Sequence, residues 1–166
     1  PRTRRRLVHL KICCIASVDE ARVAIDAGAQ AIGLVSAMPS GPGVIDEATI
    51  AGIAASVAPP TETYLLTSQR DPAAIAGQHA RCGTTTLQLV DGLANHDDYR
   101  RLRDLVPTAT IVQVIHVLDD ESVAEAIALA PLVDRILLDS GNPRLAIKEL
   151  GGTGRTHNWQ LSARIR

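Results

Sequence analysis

Two hydrophobic rhythms take turns along the chain. A short β-branched or apolar run is followed by a turn, then by an Ala-rich amphipathic segment. The runs at 7–14 (LVHLKICC), 31–35 (AIGLV), 61–66 (TETYLL), 85–90 (TTLQLV), 110–117 (TIVQVIHV) and 134–139 (DRILLD) predict strands. The segments 18–27, 46–57, 71–81, 97–105, 119–129 and 158–165 predict helices. Ser17, Ser68 and Asp119 are placed to cap the first, third and fifth of these, and Gly28 to close the first. Strand–helix units in series call for parallel strands joined by right-handed crossover helices. Two architectures fit: an open doubly wound sheet, or part of a (β/α)8 barrel. There is no G-x-G-x-x-G after the first strand and no P-loop, which speaks against a nucleotide fold. No composition break or long linker divides the chain, so residues 1–166 read as one domain.

Strand parity sorts the residues further. In 7–14, His9, Lys11 and Cys13 share one face, and Val8, Leu10, Ile12 and Cys14 share the other. The second set is apolar and is expected to meet the helices. The first set turns functional toward its carboxyl end, where parallel α/β folds bind ligands. Asp139 ends the last strand, where a buried carboxylate needs a partner or a task.

Composition narrows the classes of function. Lys and Arg total 17 against 18 Asp and Glu, a net charge of −1, which argues against a nucleic-acid or membrane partner held by bulk charge. Aromatics are 2% of residues, too few for a base-stacking platform. With no Phe, the core must be built from Ala, Val, Ile and Leu. Three cysteines, two of them adjacent, make no disulfide framework and suit a reducing, cytoplasmic setting. The basic start, residues 1–6, lacks the apolar stretch of a signal peptide and reads as a lead-in to the first strand. His9, His79, His96, His116 and His157 show no metal-ligand spacing, so no metal is expected, and His116 reads as a packing residue. Cys82, behind a helix, reads as structural.

Specific motifs then carry a resemblance. Lys11-Ile12-Cys13 ends the first strand, DEARVAIDAGAQAIGLV follows, and Gln88-Leu89 lies in the fourth strand. Leu137-Leu138-Asp139-Ser140 precedes Gly151-Gly152-Thr153-Gly154-Arg155-Thr156-His157-Asn158-Trp159. In order and spacing these resemble the K-I-C-G, Q-L-H-G, L-L-D-S and G-G-T-G-K-T motifs of the phosphoribosylanthranilate isomerases. The resemblance covers essentially the whole chain. It implies a (β/α)8 TIM barrel and an Amadori rearrangement in tryptophan biosynthesis, run without a cofactor on a small phosphorylated substrate by a monomer or homodimer. It also implies roles. Cys13 is the general base that takes the C2 proton, and Asp139 the general acid that protonates the ribose ring oxygen. Lys11, on the same strand face as Cys13, favours its thiolate. Asp139, enclosed at the barrel mouth, is expected to hold its proton through a raised pKa. Lys11, Gln88, Gly151, Gly152, Gly154 and Arg155 are the candidate substrate-binding residues. The glycines would form a lid, and Arg155 would meet an anionic group.

The chain also departs from the family pattern. Cys14 replaces the Gly after the catalytic Cys, Pro42 stands nearest the position of a carboxylate-binding Arg, Val90 replaces a His, and Gln113 matches a Lys. Each change removes a charge or polar contact near the expected site, or, at residue 14, replaces a glycine. An isomerase-like barrel that binds a different ligand, or does no chemistry, is therefore the second reading. Barrels of this kind run past about 200 residues. About six of the eight β/α units are expected in this chain, with the barrel incomplete at its C-terminus and the phosphate-holding loops after strands seven and eight absent.

Overall fold

A computed structural model describes residues 8–39, 41–142, 156 and 158–166. Six strands alternate with six helices: β1 (Lys11–Ile12), α1 (Val18–Asp26), β2 (Ala31–Val35), α2 (Glu47–Ser56), β3 (Glu62–Thr67), α3 (Pro72–Cys82), β4 (Thr86–Leu89), α4 (His96–Leu105), β5 (Thr110–His116), α5 (Asp120–Leu129), β6 (Arg135–Asp139) and α6 (Trp159–Ile165). The strands form one sheet in the order β1-β2-β3-β4-β5-β6, every pair parallel. A monotonic order with no reversal is that of a rolled barrel wall, and it excludes the doubly wound alternative.

Local chemistry sets the helix starts. Ser17 Oγ accepts the Glu20 N–H at 3.1 Å, Asp46 accepts that of Thr49 at 2.7 Å, and Asp119 and Ser122 form a reciprocal capping box. The third helix is capped by Asp71, with Pro72 at its first position, and not by Ser68, which lies one turn too early. Gly28 follows the end of α1 with φ +99°, a backbone state that an L side chain resists.

The two faces of the sheet bury different sets. Ile32, Leu34, Leu65, Leu87, Ile111 and Ile115 point outward and pack under the helices, each essentially inaccessible to solvent. Burial of such a side chain contributes about 1.5–3 kcal/mol, so this layer dominates stability. The concave face carries a smaller apolar cluster that includes Ala31, Val35, Tyr64, Leu66, Val112 and Val114. Below it lies a polar floor. Arg135 on β6 holds Glu62 on β3 with two bonds of 2.6 and 2.8 Å, and also donates to Tyr64 Oη at 2.7 Å. This fork spans the concavity between non-adjacent strands, and the guanidinium holds the Glu62 carboxyl below its usual range.

The first strand departs most from the expectation of 7–14. Only Lys11 and Ile12 pair with β2, opposite Ala31 and Ile32. Val8 is 83% exposed and Leu10 46%, so of the predicted apolar face only Ile12 packs on the helix-side core. The strand stops there because Cys14 adopts φ 61°, a left-handed turn that ends β geometry.

Candidate active site

A cavity of about 200 Å³ opens at the carboxyl ends of the strands. Cys13, just after β1, and Asp139, the last residue of β6, both line it, as do Lys11 and Gln88. The residues that the sequence assigns to the base, the acid and two substrate contacts thus converge. Gly151, Gly152, Gly154 and Arg155 lie outside the described residues.

Lys11 is held from two sides. Its Nζ donates to Gln88 Oε1, across 77 positions of sequence, and sits 4.5 Å from the centroid of the Tyr64 ring. Burial pulls the ammonium below the ordinary lysine range, while a charge interaction and a hydrogen bond with Cys13 pull it back. The cation thus stands within electrostatic reach of the Cys13 thiol. The thiol itself is seated by a close backbone approach. A Cβ on Gly33 of β2 would lie 2.9 Å from Cys13 Sγ and 3.2 Å from its Cα. Only glycine leaves that room.

Three expectations are corrected. The alternation puts Cys14 on the helix side as a core residue, yet it is exposed and lines the cavity beside Cys13. The left-handed φ of 61° swings it off the strand, which is why a glycine suits this position in the motif. Its Sγ donates to the Pro42 carbonyl at 3.6 Å. Burial and the neighbouring Cys13 raise its pKa, against the pull of Lys11. Cys14→Gly is expected to stabilise the fold by about 0.5–1 kcal/mol, the left-handed strain less the entropy cost of glycine. A urea midpoint comparison checks it, and a midpoint lower than that of the parent would contradict the strain.

Gln113 does not belong to the site. It is buried on the helix side, accepting from Tyr99 Oη at 2.8 Å and donating to the Leu89 carbonyl at 3.3 Å. On β5 the inward residues are Val112, Val114 and His116. The third correction concerns Asp139. Its pKa is lowered, not raised, by the His116 imidazole beside it first and by the Gly141 N–H at 2.6 Å, against the opposing effect of burial. His116, read from sequence as packing, stands beside it: Nδ1 lies 3.4 Å from Asp139 Oδ2, and the register pairs the two residues directly.

The rest of the wall is apolar, from Val35, Met38, Leu66, Val90, Val114 and Leu137. Val90 and Pro42, which replace the family's His and Arg, are both on it. Cys82, the last residue of α3, is fully buried, with its thiol pushed up to about 11 by burial, and lies outside this cavity. Among the described residues no cluster of His, Cys, Asp or Glu could hold a metal ion, and no helix is long and apolar enough to cross a membrane. The arrangement pairs a thiol, served by a cation, with a carboxylate, served by an imidazole. Two proton-transfer groups facing one small cavity suit acid–base chemistry on a ligand held between them.

Comparison with known proteins decides the family. The N-(5'-phosphoribosyl)anthranilate isomerase of Microcystis aeruginosa is 30% identical over 156 residues, covering 94% of this chain and 71% of that protein. The chain belongs to the phosphoribosylanthranilate isomerase family. The isomerase of Thermotoga maritima superposes with a TM-score of 0.76 at 22% identity, over 96% of this chain and 74% of that one. A phosphoribosylanthranilate isomerase solved with reduced 1-(o-carboxyphenylamino)-1-deoxyribulose 5-phosphate superposes with a TM-score of 0.68 at 20% identity, over 80% of this chain and 65% of that one. The chain spans about two thirds of the length of the curated relatives it matches. No family model matches it. The six β/α units are those of the family's (β/α)8 barrel.

Proposed function

We propose that this protein isomerises N-(5'-phosphoribosyl)anthranilate to the corresponding 1-deoxyribulose 5-phosphate aminoketose, a step of tryptophan biosynthesis, with Cys13 as general base and Asp139 as general acid. One observation carries the reading: in a chain of this family, the motif's thiol and carboxylate line the same cavity at the strand ends.

The chemistry follows from proton bookkeeping. Asp139 delivers a proton to the ribose ring oxygen as the C1–O bond breaks. The amine nitrogen pushes its lone pair toward C1, leaving an open-chain iminium. Cys13, as thiolate, takes the proton from C2, and the C–H electron pair forms the C1–C2 double bond that quenches the iminium. The enolamine then tautomerises to the ketone. One proton enters at oxygen and one leaves at C2, so the rearrangement is internal and balanced. Lys11 stabilises the thiolate before abstraction. Gln88 fixes Lys11 and offers its amide to a substrate hydroxyl. Gly151, Gly152, Gly154 and Arg155 are assigned to the substrate on the motif alone.

The apolar wall at Val90 and Pro42 favours the second reading, a different ligand on the same scaffold. The assay that separates the two follows loss of phosphoribosylanthranilate fluorescence with the purified protein. Decay that scales with protein concentration is the expected result. Decay no faster than in buffer, with the protein folded, would overturn the isomerase assignment and leave the second reading.

A further inference from the structure

Asp139 poses a problem that the family motif does not solve. A general acid must hold a proton, and this carboxylate is held in its ionised form by its neighbours. The geometry around His116 supplies an answer. Its ring is 9% exposed and has two acceptors beside it. Nδ1 is 3.4 Å from Asp139 Oδ2, and Nε2 is 3.4 Å from the Val90 carbonyl oxygen. Nδ1 is buried and makes no hydrogen bond of its own, with the Asp139 carboxylate 3.4 Å away to exchange a proton with it. The ring also stands between two cavities. Asp139 lines the first, the one that holds Cys13. His116 lines a second, of about 250 Å³, and Val90 and Val114 form the wall common to both. The other charged groups lining the second cavity are Asp91 in the loop after β4 and Glu121 and Glu125 on α5, and Lys11 lines the first cavity with Asp139. Ser122 Oγ donates to the His116 carbonyl at 2.9 Å and fixes its backbone.

We propose that His116 is a positioning residue and proton relay for the isomerisation: it orients Asp139 and passes it the proton that opens the ribose ring, taking a replacement from the second cavity. The inference rests on Asp139 as the general acid. In the step, the Nδ1–H bond breaks and an O–H bond forms on Asp139. The Asp139 proton goes to the ring oxygen as the C1–O pair collapses onto that oxygen. His116 is left neutral and Cys13 protonated after it takes the C2 proton. Solvent returns one proton to the ring and removes one from the thiol, and the cycle closes with no net change.

The test compares kcat against pH for the parent protein, His116→Asn and His116→Gln. Each amide can still donate a hydrogen bond, Asn at the Nδ1 end and Gln at the Nε2 end, but neither can release a proton at working pH. The parent is expected to lose kcat as pH rises, because the relay needs a proton on the ring. Both variants should lose that limb, with kcat at least about tenfold lower and KM changed much less. A profile for either folded variant that overlays the parent's would overturn the relay. Histidine ring resonances in NMR give a second readout independent of turnover. Asp139→Asn should shift the His116 ring resonances at fixed pH, and unmoved resonances would overturn the coupling. If Asp139→Asn retains parental turnover, the assignment of the acid fails. If it is inactive while His116→Asn keeps the parental profile, only the relay fails.

Discussion

Cys13→Ser and Asp139→Asn are each expected to lower kcat by at least about 10²-fold, within the usual 10²–10⁴-fold worth of a general acid or base. Serine keeps the size of the thiol, but its hydroxyl gives up a proton far less readily, so the proposed base is lost. Asparagine keeps the shape of Asp139 and can still accept from the Gly141 N–H. It can neither take a proton from His116 nor give one to the ring oxygen. KM should move much less, because neither group is assigned to hold the phosphate or the carboxylate. Steady-state fluorescence kinetics on the two variants measure this. Turnover within a few-fold of the parent for either would remove that residue's role.

Gly33→Ala is expected to cost activity well beyond its cost in stability. The added methyl would sit 2.9 Å from Cys13 Sγ, 3.2 Å from Cys13 Cα and 3.3 Å from Leu66 Cδ1. The thiol is the end that can yield, by rotating away from the cavity and from Lys11. Misplacing a reacting atom by about 1 Å can cost about 10²-fold, so kcat should fall by about 10–10²-fold. Overpacking of this kind costs about 1–3 kcal/mol, which should lower the urea midpoint without abolishing the fold. A large drop in stability with kcat unchanged would show that Gly33 serves packing and not the thiol.

The fold was legible because its signals are local. β2 matches the apolar run 31–35 residue for residue, and four further strands fall within two residues of their runs at either end. The first strand was not, because residues 8–10 stay exposed and outside the ladder and Cys14 turns left-handed at the other end, and alternation carries no information about pairing or φ. A glycine at that place in the motif was the available signal. That Cys13, Asp139, Lys11 and Gln88 would line one cavity was legible through the motif and strand parity. The state of Asp139 was not, because it is set by His116, on a neighbouring strand and 23 positions away by the register that pairs them. Parity on β5 could have found that partner: Val112, Val114 and His116 share the inward side, and Gln113 does not. The Lys11–Gln88 bond and the Arg135–Glu62 fork join residues too far apart in sequence for any spacing rule to link.

The most direct measurement is a crystal structure of the protein with a reduced aminoketose phosphate of the kind bound in the solved relative. The account places C2 of the pentose about 3–3.5 Å from Cys13 Sγ, and the oxygen that had closed the ribose ring within hydrogen-bond reach of Asp139. A ligand seated away from this cavity, or one whose C2 is remote from the thiol, would contradict it.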